Sequence, residues 1–236
     1  MAKLSLKNTE LPLYTMTLPV SGIVSKFRPF IVKEEKVLLI ALQSKNQQQI
    51  TDAMHKIVLG CTNNTVDTRK ICAADAEYAF LQIRSKSIGE EAKPRVICSK
   101  CKSENNLKVR LDEFTLKTET KNENTNHIIQ LYENIAVVMR YASIHDLSVD
   151  LNPVDAVFDI TKKCVESMIV DEQVYTRNDI DPKELSDFID NLTPIEFEKL
   201  TAYFETTPKL NYELQYTCPT CKEKVKVNFK NITDFF

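Results

Sequence analysis

Glycine is scarce in this chain: there are three in 236 residues. That excludes a glycine-rich phosphate loop or a dinucleotide-binding turn, both of which need closely spaced glycines. Tryptophan is absent, and histidine occurs only at His55, His127 and His145. None of the three stands in an HExxH run or a Ser/His/Asp order, so each reads as an isolated surface or locally hydrogen-bonded residue, not a general base. Neither sign of charge prevails: 31 Lys and Arg against 33 Asp and Glu leave a formal −2. No net field therefore draws the whole chain toward nucleic acid. The sequence has no apolar run of transmembrane length and no secretory leader. Glu34-Glu35 and Glu90-Glu91 are adjacent pairs that point apart on a helix, which suits a solvated face better than acid–base chemistry.

Cysteine is what the chain does have. There are seven, an odd number that argues, without an export signal, for a reducing compartment. Cys61, Cys72 and Cys164 lie in apolar helical patterns and read as small buried hydrophobes. The other four form two Cys-x-x-Cys pairs, Cys98–Cys101 in RVICSKCKSENNLKVRL and Cys218–Cys221 in YELQYTCPTCKEKVKVNF. Each pair joins a short strand-like run to a Lys-rich turn and an alternating strand, so one knuckle hairpin is written twice. Two residues between cysteines let a tight turn aim both sulfurs at one point. Two such hairpins face to face predict a four-thiolate structural zinc site. Four thiolates leave net negative charge, and Lys100, Lys102, Lys222 and Lys224 flank the turns to offset it. Such a centre has no open position, so it folds the protein and does not catalyse.

The remaining pattern divides the chain. Residues 1–31 read as an extended arm carrying Pro12, Pro19 and Pro29. Residues 32–93 read as helical, with stripes at Leu38, Leu39 and Leu42, at Ile50, Met54, Ile57 and Val58 closed by Gly60, and at Ala76, Phe80, Ile83 and Ile88 ending near Gly89. Residues 94–236 read as a split zinc ribbon. It holds a polar connection at 117–126, a hairpin from Ile128–Leu131 to Ile135–Met139, and a helical insertion over 142–209. Within that insertion, Val154, Val157, Phe158, Thr161, Cys164, Val165 and Met168 keep a helical period. Thr193, Pro194 and Glu196 start another helix, with Leu192 and Phe197 spaced as a staple. The fold class is thus α+β with a split four-cysteine ribbon.

Several blocks together resemble a known family: KFRPFIVKEEKVLLIAL (Lys26 to Leu42), AEYAFLQIRSKSIGE (Ala76 to Glu90), the Cys98–Cys101 knuckle, IAVVMRY (Ile135 to Tyr141) and the stretch from Phe204 to Phe236. They are similar to baseplate proteins of T-even-type contractile-tailed bacteriophages, in particular small proteins of central hub assembly. The resemblance covers nearly the whole chain. It implies a late viral protein made in the host bacterial cytoplasm, which builds the hub or sits within the tail baseplate. It implies hub proteins as partners and brings no catalytic residues. An assembly protein needs a rigid fold and binding surfaces, so no enzymatic activity is expected. The arm around Ile23, Phe27, Arg28 and Phe30 is the expected partner surface, by strand addition, with a strand of its own domain as the alternative, and the terminal Phe235-Phe236, also a candidate contact, reads better as folded against the ribbon. The alternative is a nucleic-acid-binding zinc-ribbon factor. The Lys-rich turns favour it, and the lack of interleaved aromatics for base stacking weighs against it.

Overall fold

A computed structural model describes residues 10–111, 115–117, 127–147 and 152–229. The polar connection expected at 117–126 lies, apart from Lys117, outside the described residues, and so do Phe235 and Phe236. The elements sort into two apolar cores.

The first core begins with a hairpin, β1 (Tyr14–Thr17) against β2 (Val24–Phe27), paired antiparallel from Tyr14↔Phe27 to Thr17↔Val24. Met16 and Phe27 point inward, with Phe27 only 1% exposed, and Leu18 is fully buried at the turn. The arm expected over residues 1–31 is therefore, in its described part, an internal hairpin. Gly22, at φ 69°, supplies the left-handed step that lets its N–H reach the Leu18 carbonyl at 2.9 Å. Three helices cover the hairpin: α1 (Val32–Ser44), α2 (Gln47–Cys61) and α3 (Ala73–Ser87). The Ile50, Met54, Ile57 and Val58 stripe is buried as its period predicts. In α1 the buried residues are Leu38 and Ala41, while Leu39 faces solvent.

Two charged contacts set how these pieces meet. Asp75, fully buried in the first turn of α3, accepts from the N–H groups of Val20 and Ser21 at 2.8 Å each. The hairpin turn is thereby fastened to the helix. Arg28 forms a two-pronged pair with Glu34, at 2.7 and 2.9 Å. Glu34 is thus a bonded partner and not part of a solvated face. Hydrogen bonds from Arg28 and from the Ile31 N–H hold its carboxyl below the usual range against the opposing effect of burial. A Cβ on Gly60 would lie 3.2 Å from Glu34 Oε1. Gly60 therefore does not end α2, which runs on to Cys61. It leaves room for the ion pair, and Asn63 and Asn64 take the positive φ of the turn that follows.

The chain next lays down short strands: β3 (Glu91–Ala92), β4 (Arg95–Ile97), β5 (Glu104–Asn106), β6 (Val109–Arg110) and β7 (Thr115–Lys117), with β3 paired to β6 and β4 to β5. It then leaves for the second core. There β8 (Ile128–Tyr132), β9 (Ile135–Met139), β10 (Val165–Val170) and β11 (Gln173–Thr176) form an antiparallel sheet in the order β11-β10-β9-β8. One face packs on α4 (Pro153–Cys164), α5 (Pro182–Asp190), α6 (Pro194–Ala202) and a 3₁₀ turn at Tyr203–Thr206. All three helices start the same way, with a capping side chain before a proline: Asn152-Pro153, Asp181-Pro182 and Thr193-Pro194. Leu192 and Phe197 both pack against this core.

The helical period from Pro153 to Met168 overshoots. The helix stops at Cys164 and passes straight into β10. A bulge between Val165 and Ser167 leaves Val165 and Met168 both pointing inward, three residues apart. That spacing imitates a helix. The β10–β11 hairpin inside the supposedly helical insertion turns on Asp171 and Glu172, at φ 48° and 65°. This two-residue turn lacks the glycine that usually announces it. The chain finally returns as β12 (Lys209–Thr217) and β13 (Lys224–Phe229), with β12 also pairing to β7. Phe229 ends in the first core.

Two outcomes follow. Asp75→Ala strands two N–H groups in the interior and should cost about 1–3 kcal/mol, while Asp75→Asn, which keeps an acceptor, should lose less. Thermal melts of the two variants decide it, and equal melts would remove Asp75 as the fastening. Deleting residues 1–25 takes Met16 and Leu18 from the core, so the truncated chain should lose its cooperative melt.

Candidate metal centre

The two cysteine turns are the same object. In each, the first cysteine's N–H bonds the carbonyl five residues on (Cys98 to Ser103, Cys218 to Glu223, both 2.9 Å). In each, the residue after the second cysteine turns back to the first cysteine's carbonyl (Lys102 to Cys98, Lys222 to Cys218). Those two lysines share a φ of 61°. The backbone at each turn aims both sulfurs to one side. β4–β5 carries the first turn and β12–β13 the second, and the sheets present them face to face.

All four ligand atoms lie within 4.8 Å of one another. Cys98 Sγ is 3.9 Å from Cys221 Sγ, and Cys101 Sγ is 3.7 Å from Cys218 Sγ. A tetrahedron of sulfurs each about 2.3 Å from a zinc ion has edges of about 3.8 Å. The donor set therefore fits a metal ion of that kind. Cys98 and Cys218 are fully buried, and Val225 packs against them with Tyr216 and Val227 alongside. Among the described residues no other group of three or more His, Cys, Asp or Glu converges this way.

The thiols are not equivalent. Hydrogen bonding from Ser103 and from the Cys221 and Thr220 N–H groups pulls Cys218 down to about 5, and Ser103 also lowers Cys101. Cys221, although the Glu223 N–H favours its thiolate, is pushed up to about 11 by burial and by the neighbouring thiols. Negative charge can enter the cluster but cannot accumulate there without a cation. The three remaining cysteines are buried, with thiols pushed up to about 12 by desolvation, as inert core residues should be.

Sequence reasoning missed the residues that surround the sulfurs. Ser103 Oγ lies 3.1 Å from Cys101 Sγ and 3.4 Å from Cys218 Sγ. Asn105, buried, donates to the Ser103 carbonyl at 3.1 Å and lies 3.4 Å from the Tyr216 hydroxyl. Position supplies the signal that was available: Ser103 stands two residues past a ligand, where its hydroxyl can reach back.

The expected partner residues fare differently. Phe27 and Phe30 are buried in the first core and have no surface to offer, and Arg28 is taken by Glu34. Of the four, only Ile23 is exposed. A partner surface centred on these residues is therefore corrected to an internal packing role. The histidines are not all isolated either. His55 and His145 meet edge to face, with ring centroids 5.2 Å apart, and share the Thr68 hydroxyl at 2.8 and 3.3 Å. Burial is the main cause holding both below the usual histidine range, against the opposing pull of Asp67, 3.8 Å from His55, and Asp52, 4.0 Å from His145, and the pair forms a polar contact between α2 and the 144–147 turn. His127 packs with Tyr141 and Tyr203.

Fold and centre define a mixed α+β protein with four cysteines gathered at metal-binding distance. A family model described as T4 bacteriophage base plate protein matches residues 11–236, and the chain belongs to that family. It is a T4-type phage baseplate protein, as the sequence resemblance implied. No curated protein and no solved structure matches it. Among the described residues no helix is long and apolar enough to cross a membrane.

Removing the Ser103 hydroxyl should weaken metal binding by roughly 10–100-fold, the usual effect of losing a group that orients a ligand. Competition of the Ser103→Ala protein against a chromophoric chelator measures this. Unchanged affinity would make Ser103 a bystander.

Proposed function

We propose that this chain is a non-enzymatic component of the baseplate's central hub, or of its assembly. In this reading a structural zinc ion held by Cys98, Cys101, Cys218 and Cys221 closes a split ribbon. Membership of the T4 base plate family supports the baseplate part of this reading, and the sulfur quartet supports the structural zinc. Two identical turns, far apart in sequence, meet at the spacing a tetrahedral ion requires. With all four positions filled by protein, the ion has no place for substrate. In small peptides structural zinc supplies on the order of 10–16 kcal/mol, all of it coupled to folding. The buried thiols elsewhere offer no nucleophile, which further supports a structural role.

The nucleic-acid alternative has less support. Lys100, Lys102, Lys222 and Lys224 are exposed around the centre, but Glu104 and Glu223 are exposed among them, and Lys226 is paired with Glu213 at 2.9 Å. The surface alternates in sign and does not form a basic stripe.

Metal analysis should find one zinc per chain. Cys218→Ser should lose the metal and unfold or aggregate much of the protein. Cys164→Ser should retain zinc and cost only about 1–3 kcal/mol. Equal melting of wild type and the Cys218 variant would end the structural reading. Co-expression with the phage's hub proteins should yield a complex. Capture of peripheral baseplate proteins instead would displace the hub assignment, and salt-sensitive DNA binding without hub binding would install the alternative.

A further inference from the structure

Two surfaces of the molecule are apolar where a helix and a sheet normally meet water. The outer face of α1 carries Val32, Lys33, Lys36, Leu39 and Ile40, all exposed, with Val32 at 80%. Its charges are positive. The helix's two carboxylates, Glu34 and Glu35, are the half-buried ones, and Glu34 is held by Arg28. The second surface is the face of the four-stranded sheet turned away from α4–α6. Antiparallel register places Ala136 beside Ile169 and Ile169 beside Val174 on that face, with Val138 one row over beside Ser167. Outward positions of a one-sided sheet are ordinarily polar, yet here Ile128, Val138, Ile169 and Val174 are apolar and at least partly exposed, Val174 at 63%, while Ala136 among them is buried. A hollow of about 500 Å³ opens there, lined by Ala136 and Ile169 with Gln130 and Asn134, and rimmed by Glu133, Asp171 and Glu172, Asp171 also accepting from the Asn134 amide at 2.9 Å.

We propose that the protein associates with itself head to tail, the lysine-bearing face of α1 on one copy seating on the acid-rimmed sheet face of the next. Both surfaces combine an apolar centre with charge, and the charges are opposite. Symmetric pairings are disfavoured by the same fact. Helix against helix would set Lys33 and Lys36 against their own copies, and sheet against sheet would set the carboxylate rims together. Within one chain the two faces belong to elements of different cores. A heterologous contact does not satisfy itself in a dimer, so it continues into a ring or an open chain. This goes beyond the hub reading and does not depend on the metal.

The test uses the full-length protein as purified, with its metal content measured. Sedimentation velocity across a concentration series should show wild type growing past the dimer. Ile40→Asp on the helix face and Val174→Asp on the sheet face should each weaken association tenfold or more while preserving metal content and melting. Mixed in equal amounts, the two variants should form a heterodimer and nothing larger, since each retains the face the other lost. If either variant folds poorly, the pair Lys33→Glu with Lys36→Glu and the pair Asp171→Lys with Glu172→Lys replace them. Those two proteins should associate with each other more tightly than either does with wild type. A wild type that stays monomeric, a closed symmetric dimer, or variants that fail to complement would overturn the proposal. So would capture of another baseplate protein on either face in place of a second copy.

Discussion

Four sulfurs drawn within 4.8 Å of one another are the constraint on which the arrangement of this chain turns. Thiolates that close repel, and burial of two of them removes the water that would screen the charge. The cluster is coherent when a cation or protons compensate it. The backbone accepts this strain in a specific way. Each turn takes a left-handed lysine and folds its own hydrogen bonds around its two sulfurs. Because the turns come from distant parts of the chain, their meeting brings β4–β5 and β12–β13 together. The whole second core hangs between them as an insertion.

The first core is held by a different balance. Its bulk is hydrophobic burial, but its geometry is set by two carboxylates. Asp75 spends both oxygens on backbone N–H groups of the hairpin turn, and Glu34 meets Arg28 in the space that Gly60 leaves open. Apolar packing is non-directional, so it stabilises a range of hairpin positions almost equally. Hydrogen bonds to buried charge are directional and costly to leave unmade, and so they select one position. The return of Phe229 to this core links it to the strand that carries the second cysteine turn.

The second core is one-sided. Its helices cover one face of the sheet, each begun by a side-chain cap and a proline, while the opposite face stays open with apolar rows and an acidic lip. This is one of the two surfaces that the proposed head-to-tail contact would bury. The outer face of α1 has the same character with the opposite charge.

What the sequence determined by itself was local and repetitive. The cysteine spacing, duplicated with its flanking strands, specified both turns and their shared geometry, because two residues between ligands leave a chain few ways to aim two sulfurs. The α2 stripe and the Thr193-Pro194 start were legible for similar reasons, since helical period and capping act over a few residues. The tertiary structure decided what depends on distant partners. The stretch from Val20 to Phe30 read as an arm because Asp75, which holds Val20 and Ser21, Cys61, whose carbonyl takes the Arg28 N–H, and Ser87, whose hydroxyl takes the Phe30 N–H, lie tens of residues away. β10 read as helix because a bulge gave it helical spacing. His55 and His145 met each other, and Ser103 and Asn105 gained Cys218 and Tyr216, only when remote segments packed. Periodicity and capping report on nearest neighbours along the chain, whereas packing, burial and the meeting of the two cysteine turns are settled by neighbours in space.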